Sequence, residues 1–220
     1  MRVLIVAAHP DDELLGVGGT AAAHARRGDE VHALILCEGV SVRYGPERAA
    51  EIAAEAQRAA RILGVSQIKM GRLPEQRLDE LCLLQVIQEI EPVLASYEPH
   101  VVYTHFGGDM NRDHRIVSEA VLVAARPCSA PFLRELLMFE TASSTEWSSP
   151  GLLPAFQPNL FVDITSHLDA KIEAFQCYSH EVKPCPHPRS PECLRARAQH
   201  WGSFICRQAA EPFLVVRSIR

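Results

Sequence analysis

Apolar runs alternate with helical patterns through the first half of the chain, and this alternation constrains the fold more than any other feature. The apolar runs predict strands at residues 2–8, 31–39, 66–71 and 100–105. The patterns that follow them predict helices at residues 13–27, 46–64, 78–99 and 113–125. Strands that alternate with helices form parallel sheets through right-handed crossovers. The order therefore predicts an α/β fold, a Rossmann-like and mostly parallel sheet flanked by helices.

The C-terminal portion follows a looser pattern. Its predicted strands are residues 135–140, 159–164 and 213–217, and its predicted helices are residues 166–181 and 192–208. Two long polar segments lie among them, residues 141–158 and 183–191, and long loops in compact domains are often functional. Because no linker or repeat interrupts the chain, we expect residues 1–220 to form a single domain.

The composition is that of an ordinary globular protein, with 47% hydrophobic and 22% charged residues. A net charge of −5 without a basic face argues against nucleic-acid binding. Arg189, Arg195 and Arg197 are interspersed with acids and are interpreted as solvated surface residues. No apolar run approaches the roughly 18 residues of a membrane span, and the N-terminus lacks the pattern of a signal peptide. These features predict a cytoplasmic protein.

The seven cysteines show no paired spacing and no CxxC motif. We therefore expect reduced thiols and no cysteine-based zinc site. No pattern in the sequence sets the oligomeric state, so a monomer and a homo-oligomer are both compatible with it.

Acidic and histidine side chains follow three of the predicted strands at the points where these strands end. They are His9, Asp11, Asp12, Glu38, His105, Asp109, Asp113 and His114. The carboxyl ends of parallel strands lie at one edge of a sheet, where α/β proteins bind ligands. Carboxylates packed there would repel each other, and a cation would relieve that repulsion. Histidine with carboxylate suits zinc or a similar divalent ion, and three protein ligands with one open position mark a catalytic site.

Helix capping is the alternative explanation for the motif HPDDE at residues 9–13. Asp11 or Asp12 could cap the following helix, and Glu13 could favour its dipole. Capping accounts for one acid, but not for His9 or for the second cluster around His114. The spacing therefore favours a metal site.

Six segments spread over nearly the whole chain carry a family pattern. They are HPDDE (9–13), EAQRAARILGV (55–65), VVYTH (101–105), NRDHR (111–115), YSHE (178–181) and PHPRS (186–190). Together they resemble the PIG-L/LmbE-like family of metal-dependent N-acetylglucosamine deacetylases. The resemblance implies a hydrolase that removes the acetyl group from an N-acetylated amino sugar. The sugar would be the GlcNAc-type moiety of a glycoconjugate or of a nucleotide-sugar.

The resemblance also assigns roles to single residues. His9, Asp12 and His114 match the ligands of Zn²⁺, or of another divalent metal such as Fe²⁺, Co²⁺ or Mn²⁺. Asp11 matches the general base. In that role it would take a proton from the water that attacks the amide carbonyl and could return the proton to the amine.

One position departs from the family. Many members carry a histidine three residues before the last metal ligand, as oxyanion stabiliser or acid, and Asn111 stands there in this chain. Asparagine donates hydrogen bonds but delivers no proton. His105 is the preferred substitute because it ends a strand that leads to the site, and His187 is the second choice. Asp113 is expected to orient a ligand or the region of Asn111.

Candidates for contacts with the substrate are two arginines and four residues with a flat ring, namely Arg48, Arg43, Tyr44, Trp147, Tyr178 and His187. The arginines are chosen because the family usually contacts the sugar with an arginine from the helix after the second strand. The polar, proline-rich character of residues 141–158 and 183–191 favours a water-soluble saccharide or nucleotide-sugar over a lipid.

A dinucleotide-binding Rossmann enzyme is the main alternative. Gly16, Gly18 and Ala21 form a G-x-G-x-x-A pattern, and Glu38 ends the second strand at the distance of a ribose contact. In such enzymes the glycines form the turn directly after the first strand. Here HPDDELL intervenes and places them inside a helix, where small residues favour close packing instead.

Overall fold

The computed structural model describes residues 1–39, 45 and 48–220, and a seven-stranded sheet forms their centre. The strands are β1 (Arg2–Ala7), β2 (Glu30–Cys37), β3 (Gln67–Leu73), β4 (Val101–His105), β5 (Glu135–Phe139), β6 (Leu160–Asp163) and β7 (Ala210–Ser218). Their order across the sheet is β3-β2-β1-β4-β5-β7-β6. The first five strands pair in parallel, whereas β7 runs antiparallel to both β5 and β6. The predicted α/β fold with a mostly parallel sheet is confirmed.

Helices cover both faces of the sheet. They are α1 (Asp12–Arg26), α2 (Ala49–Leu63), α3 (Leu83–Tyr97), α4 (Arg112–Ala124), α5 (Leu168–Gln176) and α6 (Pro191–Ser203). Helices α1, α2 and α5 pack on one face, and α3 and α4 pack on the other. The first strand shows how the two cores arise, because Val3 and Ile5 point into one core and Leu4 and Val6 into the other. This burial of a strand on both faces is typical of parallel sheets.

Some predicted boundaries differ from the observed ones. The helix predicted at 78–99 begins only at Leu83, because residues 78–80 form a separate 3₁₀ turn. The two C-terminal helices are shorter than predicted and end at Gln176 and Ser203. Arg43, Tyr44 and the predicted start of the second helix at residue 46 lie outside the described residues.

Three further expectations concern the chain as a whole. None of the helices in the described ranges is long and apolar enough to cross a membrane. The seven cysteines are free thiols in the structure. The N-terminal and C-terminal strands lie in the same sheet, which supports our proposal that residues 1–220 form one domain.

The sheet topology brings two sequence segments together at one edge. Strands β1 and β4 are neighbours, with Val6 opposite Thr104. The chain leaves β1 at Ala7 and enters α1 at Asp12, and it leaves β4 at His105 and enters α4 at Arg112. The segments 8–11 and 106–111 therefore lie side by side at the carboxyl end of the sheet.

Candidate metal centre

The turn between β1 and α1 is held in an unusual backbone conformation. Asp11 has φ +101° and ψ −28°, in the left-handed region that side chains other than glycine rarely adopt. Such conformations cost roughly 1–3 kcal/mol and cluster at functional sites. Asp11 occupies the N-cap position of α1, but its side chain makes no capping hydrogen bond. Helix capping therefore does not explain this acid.

Three ligand atoms converge at the carboxyl edge of the sheet. Asp12 Oδ2 lies 3.1 Å from His9 Nδ1 and 3.2 Å from His114 Nε2, and these two nitrogens are 3.3 Å apart. The side chains of His9, Asp12 and His114 are buried. A triangle with sides of about 3.2 Å has its centre about 1.8 Å from each corner, so the spacing of the three donor atoms is compatible with Zn–N and Zn–O distances of about 2.0–2.2 Å.

The second carboxylate oxygen of Asp12 also fits a cation. Asp12 Oδ1 is buried and has no hydrogen-bond partner among the described residues. Burial by itself raises the pKa of Asp12, but the His114 imidazole and the hydrogen bond with His9 more than offset this and hold that pKa well below its usual range. An ionised, buried carboxylate with one unsatisfied oxygen suits a divalent ion.

Each of the two histidines has a carboxylate behind it. Asp113 Oδ2 lies 2.9 Å from His9 Nε2, and Asp109 Oδ1 lies 3.1 Å from His114 Nδ1. A carboxylate on one ring nitrogen fixes the proton there and leaves the other nitrogen as a lone-pair donor. The nitrogens left in this way are His9 Nδ1 and His114 Nε2, the two in the triangle.

The two supporting carboxylates are themselves anchored. Asp113 accepts backbone hydrogen bonds from Gln76 at 2.7 Å and from Leu78 at 3.1 Å. Asp109 accepts a hydrogen bond from the Thr145 hydroxyl at 2.5 Å and another from Ser144. The 3₁₀ turn at 78–80 and the segment after β5 therefore both contribute to the placement of the histidine rings.

Asn111 caps helix α4. Its Oδ1 accepts a hydrogen bond from the backbone of Asp113 at 2.9 Å, and its own backbone donates to Asp109 Oδ1 at 2.8 Å. Its amide lies 3.4 Å from Gln76 Oε1, and the residue lines the cavity next to the triangle. The structure therefore brings Asn111 to the site and gives it a local role as a helix cap.

Asp11 lies beside the triangle and is paired with an arginine that the sequence interpretation placed at the surface. Arg189 Nη1 donates to Asp11 Oδ2 at 2.8 Å and to Glu181 Oε2 at 2.6 Å, and Arg189 Nε donates to Ser143 Oγ at 2.7 Å. Its side chain is only 15% exposed. The prediction of a solvated Arg189 was wrong, because the PHPRS turn folds back over the β1–α1 junction. The place of Arg189 within PHPRS was the signal that could have identified it.

Burial sets the protonation of the acids around Asp11. It raises the pKa of Asp11 well above the usual range, and the Arg189 guanidinium opposes that rise. Burial also raises the pKa of Glu13 to about 7. Glu13 accepts hydrogen bonds from the Tyr178 hydroxyl at 2.7 Å and from the backbone of Asp11 at 3.0 Å. Glu13 thus holds the backbone at the strained residue.

Two of the predicted site residues are placed differently from their predicted roles. Tyr178 borders the cavity but is 2% exposed, and its hydroxyl is committed to Glu13 rather than free to contact a substrate. His105 is fully buried. Its Nε2 accepts from the backbone of Ala8 at 2.9 Å, and its Nδ1 lies 3.2 Å from the Thr141 hydroxyl.

His105 therefore does not fit the role of a proton donor to substrate. Its ring stacks on the His114 ring, with centroids 4.0 Å apart and 12° between the planes. Burial lowers the pKa of His105 well below its usual range, which keeps the imidazole neutral. A strand end shows where a residue lies, but the hydrogen-bond partners of its side chain depend on neighbours that the sequence does not identify.

A cavity of about 270 Å³ opens beside the triangle. Its lining includes His9, Asp11, His114, Arg48, Asn111, Trp147, His187 and Arg189. Arg48 donates from Nε to Glu51 at 3.2 Å, and His187 Nδ1 accepts from the backbone of Arg189 at 3.1 Å. The structure thus brings Arg48 and His187 to the same cavity as the triangle, although these side chains come from distant parts of the sequence.

The glycines of the nucleotide-binding alternative serve packing. A Cβ atom on Gly16 would lie 2.1 Å from Phe139 Cδ2, and one on Gly18 would lie 3.1 Å from Lys171 Cγ. Both glycines lie inside α1, where the helix approaches its neighbours closely. Their position is not that of a phosphate-binding turn.

Comparisons with known proteins give the following similarities. Residues 4–125 match the profile of the PIG-L family, described as GlcNAc-PI de-N-acetylase. An Escherichia coli K12 protein named uncharacterized deacetylase YaiS is 29% identical over 74% of this chain and 81% of its own length. The diacetylchitobiose deacetylase of Thermococcus kodakarensis is 24% identical over 99% of this chain and 84% of its own length. The crystal structure of the conserved protein TT1542 from Thermus thermophilus superposes with a TM-score of 0.80 at 25% identity, covering 99% of this chain and 96% of that one.

Proposed function

Because the chain belongs to the PIG-L family, we propose that it is a divalent-metal-dependent hydrolase that removes the acetyl group from an N-acetylated amino sugar. The triangle of His9, Asp12 and His114 beside Asp11 is the observation that supports this reaction most strongly. The substrate is proposed to be the GlcNAc-type moiety of a glycoconjugate or nucleotide-sugar. Water and the amide are converted to acetate and a free amine.

Zn²⁺ is the proposed ion, because two imidazole nitrogens and one carboxylate oxygen are a common catalytic zinc set. The same donors accept Fe²⁺, Co²⁺ or Mn²⁺. A divalent ion held there would lower the pKa of a water molecule towards 7 and polarise the amide carbonyl. His9, Asp12 and His114 would hold the ion, and Asp109 and Asp113 would keep the two rings in place.

Asp11 is proposed to move the proton. It lines the cavity next to the triangle, so it would lie close to a water molecule held there for attack on the amide. Arg189 fixes one of its carboxylate oxygens, Oδ2, and leaves the other, Oδ1, as the acceptor. The same oxygen can then return the proton to the amine as the carbon–nitrogen bond breaks.

His187 is proposed to take the role of the family histidine that Asn111 replaces, because asparagine cannot deliver a proton. The His187 Nδ1 atom accepts a hydrogen bond from the backbone of Arg189, so the ring proton lies on Nε2. His187 lines the cavity, whereas His105 does not appear in its lining. Arg48, which immediately precedes α2, is proposed to contact the sugar. Asn111 is proposed to form a hydrogen bond with the acetamide.

Metal content and product release test the function together. Purified protein should carry about one divalent ion per chain, and it should release acetate from at least one member of a panel of water-soluble N-acetyl amino sugars. A metal-free protein that binds NAD would contradict the proposal. Asp11→Asn should keep its metal and lose activity by a factor of at least about 10². Asp169→Asn, whose side chain is 91% exposed, is the matched control and should leave activity unchanged. Full activity in Asp11→Asn would show that another residue is the base.

A further inference from the structure

Trp147 exposes a large apolar surface at the cavity. It lines the cavity beside the triangle, and 53% of its surface is accessible. Tryptophan gains much free energy when it is covered, so an exposed indole at the mouth of a cavity offers a flat apolar face to a ligand.

The turn that carries Trp147 is anchored to the segment that positions the metal centre. Trp147 ends a 3₁₀ turn that begins at Thr145, and the hydroxyl of Thr145 donates to Asp109 Oδ2 at 2.5 Å. The next residue, Ser148, donates from its hydroxyl to the carbonyl of Gly108 at 2.7 Å. Asp109 also positions His114. The turn that carries Trp147 is therefore held by the same carboxylate that positions His114. It is ordered before a substrate binds, which lowers the entropy cost of binding.

The ring of His187 stands next to the indole. The two ring centroids are 6.0 Å apart and the planes are at 89°. The two rings therefore form a corner at the mouth of the cavity, with His187 on the PHPRS turn and Trp147 on the segment after β5.

Because the cavity is small, part of a larger substrate would contact the surface at its mouth. About 270 Å³ is slightly below the usual range for ligand cavities, roughly 300–1,000 Å³. A substrate with a second ring next to the N-acetylated sugar must therefore extend past the mouth, where Trp147 lies. A pyranose ring presents a flat array of C–H groups that packs against an indole face.

The charges of the lining favour an uncharged second ring. The lining carries the carboxylates of Asp11, Glu55, Glu75 and Glu181 and the cationic side chains of Arg48, Lys183 and Arg189. Arg189 is already paired with both Asp11 and Glu181. Among the lining residues that the structure describes, there is no excess of cations that would attract a diphosphate.

We propose that Trp147 binds the second ring of the substrate, so that the substrate is an N-acetylglucosaminyl glycoside whose next unit is a neutral pyranose. This inference rests on the proposed deacetylase function and specifies its substrate class. Trp147 acts as a specificity residue and takes no part in the proton transfers.

Steady-state kinetics on three substrates test the inference. N,N′-diacetylchitobiose, N-acetylglucosamine and UDP-N-acetylglucosamine are compared in the wild type, Trp147→Ala, Trp147→Phe and Leu152→Ala. Trp147→Ala should lower kcat/KM on the disaccharide about tenfold, through KM, and by less than about twofold on the monosaccharide. Trp147→Phe should recover most of the loss. Leu152 is 87% exposed on the same segment and outside the cavity lining, so Leu152→Ala should behave as wild type.

Intrinsic fluorescence gives a readout that does not depend on turnover. In metal-free protein the disaccharide should change the tryptophan emission of the wild type. The signal should vanish in Trp147→Phe, where Trp201 is the remaining tryptophan. Trp201 donates to Glu140 Oε1 at 2.6 Å and is absent from the cavity lining, so its emission should not respond.

Several results would overturn the inference. Equal losses on the disaccharide and the monosaccharide, or no loss on either, would show that Trp147 does not bind a second ring. A larger effect of Trp147→Ala on UDP-N-acetylglucosamine would show that the indole binds a base. A change of oligomeric mass by light scattering in Trp147→Ala, but not in Leu152→Ala, would show that it contacts a second copy. If the wild type releases acetate from no N-acetyl sugar, the deacetylase function fails, and the fluorescence titration still tests the contact with the ring.

Discussion

Arg189 donates a hydrogen bond from Nη1 to Oδ2 of Asp11 over 2.8 Å, although the two residues are 178 positions apart in the sequence. The same guanidinium nitrogen donates to Glu181, and Nε donates to Ser143. One arginine thus joins the β1–α1 turn to the segments that follow β5 and α5. Its positive charge also reduces the repulsion between the carboxylates of Asp11 and Glu181 at the cavity.

Replacing Arg189 should affect stability and activity together. Arg189→Met leaves Asp11 and Glu181 without their cationic partner in a mostly buried site, so we expect a loss of about 2–4 kcal/mol in the free energy of unfolding. Activity should fall by at least about tenfold, because Asp11 loses its fixed position. Urea unfolding and acetate release measure the two effects.

Two further variants test whether the effect of Arg189→Met comes from its specific ion pairs with Asp11 and Glu181 or from the loss of a positive charge alone. Arg189→Lys keeps the charge but not the three-way geometry, so it should recover part of the stability. Arg195 pairs with Asp169 at the surface, where the two side chains are 42% and 91% exposed, and Arg195→Met should cost less than about 1 kcal/mol. Equal destabilisation by Arg189→Met and Arg195→Met would contradict the importance of the Asp11 pair.

The sequence was sufficient to predict the sheet and the grouping at its edge, but not the partners of each side chain. The sequence places His9, Asp12 and His114 just after the ends of β1 and β4. Because these neighbouring strands are parallel, their carboxyl ends lie at one edge of the sheet. Arg189 escaped prediction because its position depends on how the C-terminal third folds back over the site. His105 was assigned a role that its hydrogen bonds to Ala8 and Thr141 do not fit, since the partners of a buried ring depend on tertiary packing.

Asp109 should control metal affinity through His114. Asp109 Oδ1 lies 3.1 Å from His114 Nδ1, and Asp109→Asn removes the charge that fixes the proton on that nitrogen. Loss of such a partner typically lowers metal affinity by about 10–100-fold. Competition with a chromophoric chelator measures the affinity. Asp79→Asn, in an exposed ion pair with Arg112, is the control and should bind the ion as the wild type does. Unchanged affinity in Asp109→Asn would show that Asp109 does not influence metal binding through His114.

Glu13 should make stability depend on pH. Burial raises its pKa in the folded protein from 4.5 to about 7, so between these values the folded state binds more protons than the unfolded state. The stabilisation is complete below the unfolded pKa and is lost as the pH rises through the folded pKa. Compared with Glu13→Gln, the metal-free wild type should lose at most about 3 kcal/mol of unfolding free energy between pH 4.5 and 7.5.

Urea unfolding at a series of pH values measures this difference for Glu13. Glu89→Gln, which changes an exposed residue of α3, should show the pH dependence of the wild type. Parallel curves for Glu13→Gln and the wild type would mean that the carboxyl of Glu13 titrates equally in both states. Burial against Tyr178 would then have no effect on its protonation.

A substitution at Gly16 distinguishes a packing role for this glycine from a role in nucleotide binding. Alanine normally stabilises a helix interior relative to glycine by about 1 kcal/mol. A Cβ at Gly16 would lie 2.1 Å from Phe139 Cδ2, and the Phe139 ring is fully buried in β5 and cannot move aside. Gly16→Ala should therefore destabilise the protein by about 1–3 kcal/mol in thermal or urea unfolding. Gly151→Ala, where the nearest neighbouring atom is 4.0 Å away, should be close to neutral. If Gly16→Ala kept full stability and instead changed binding of a dinucleotide, the glycine would serve a phosphate and not the contact between α1 and the sheet.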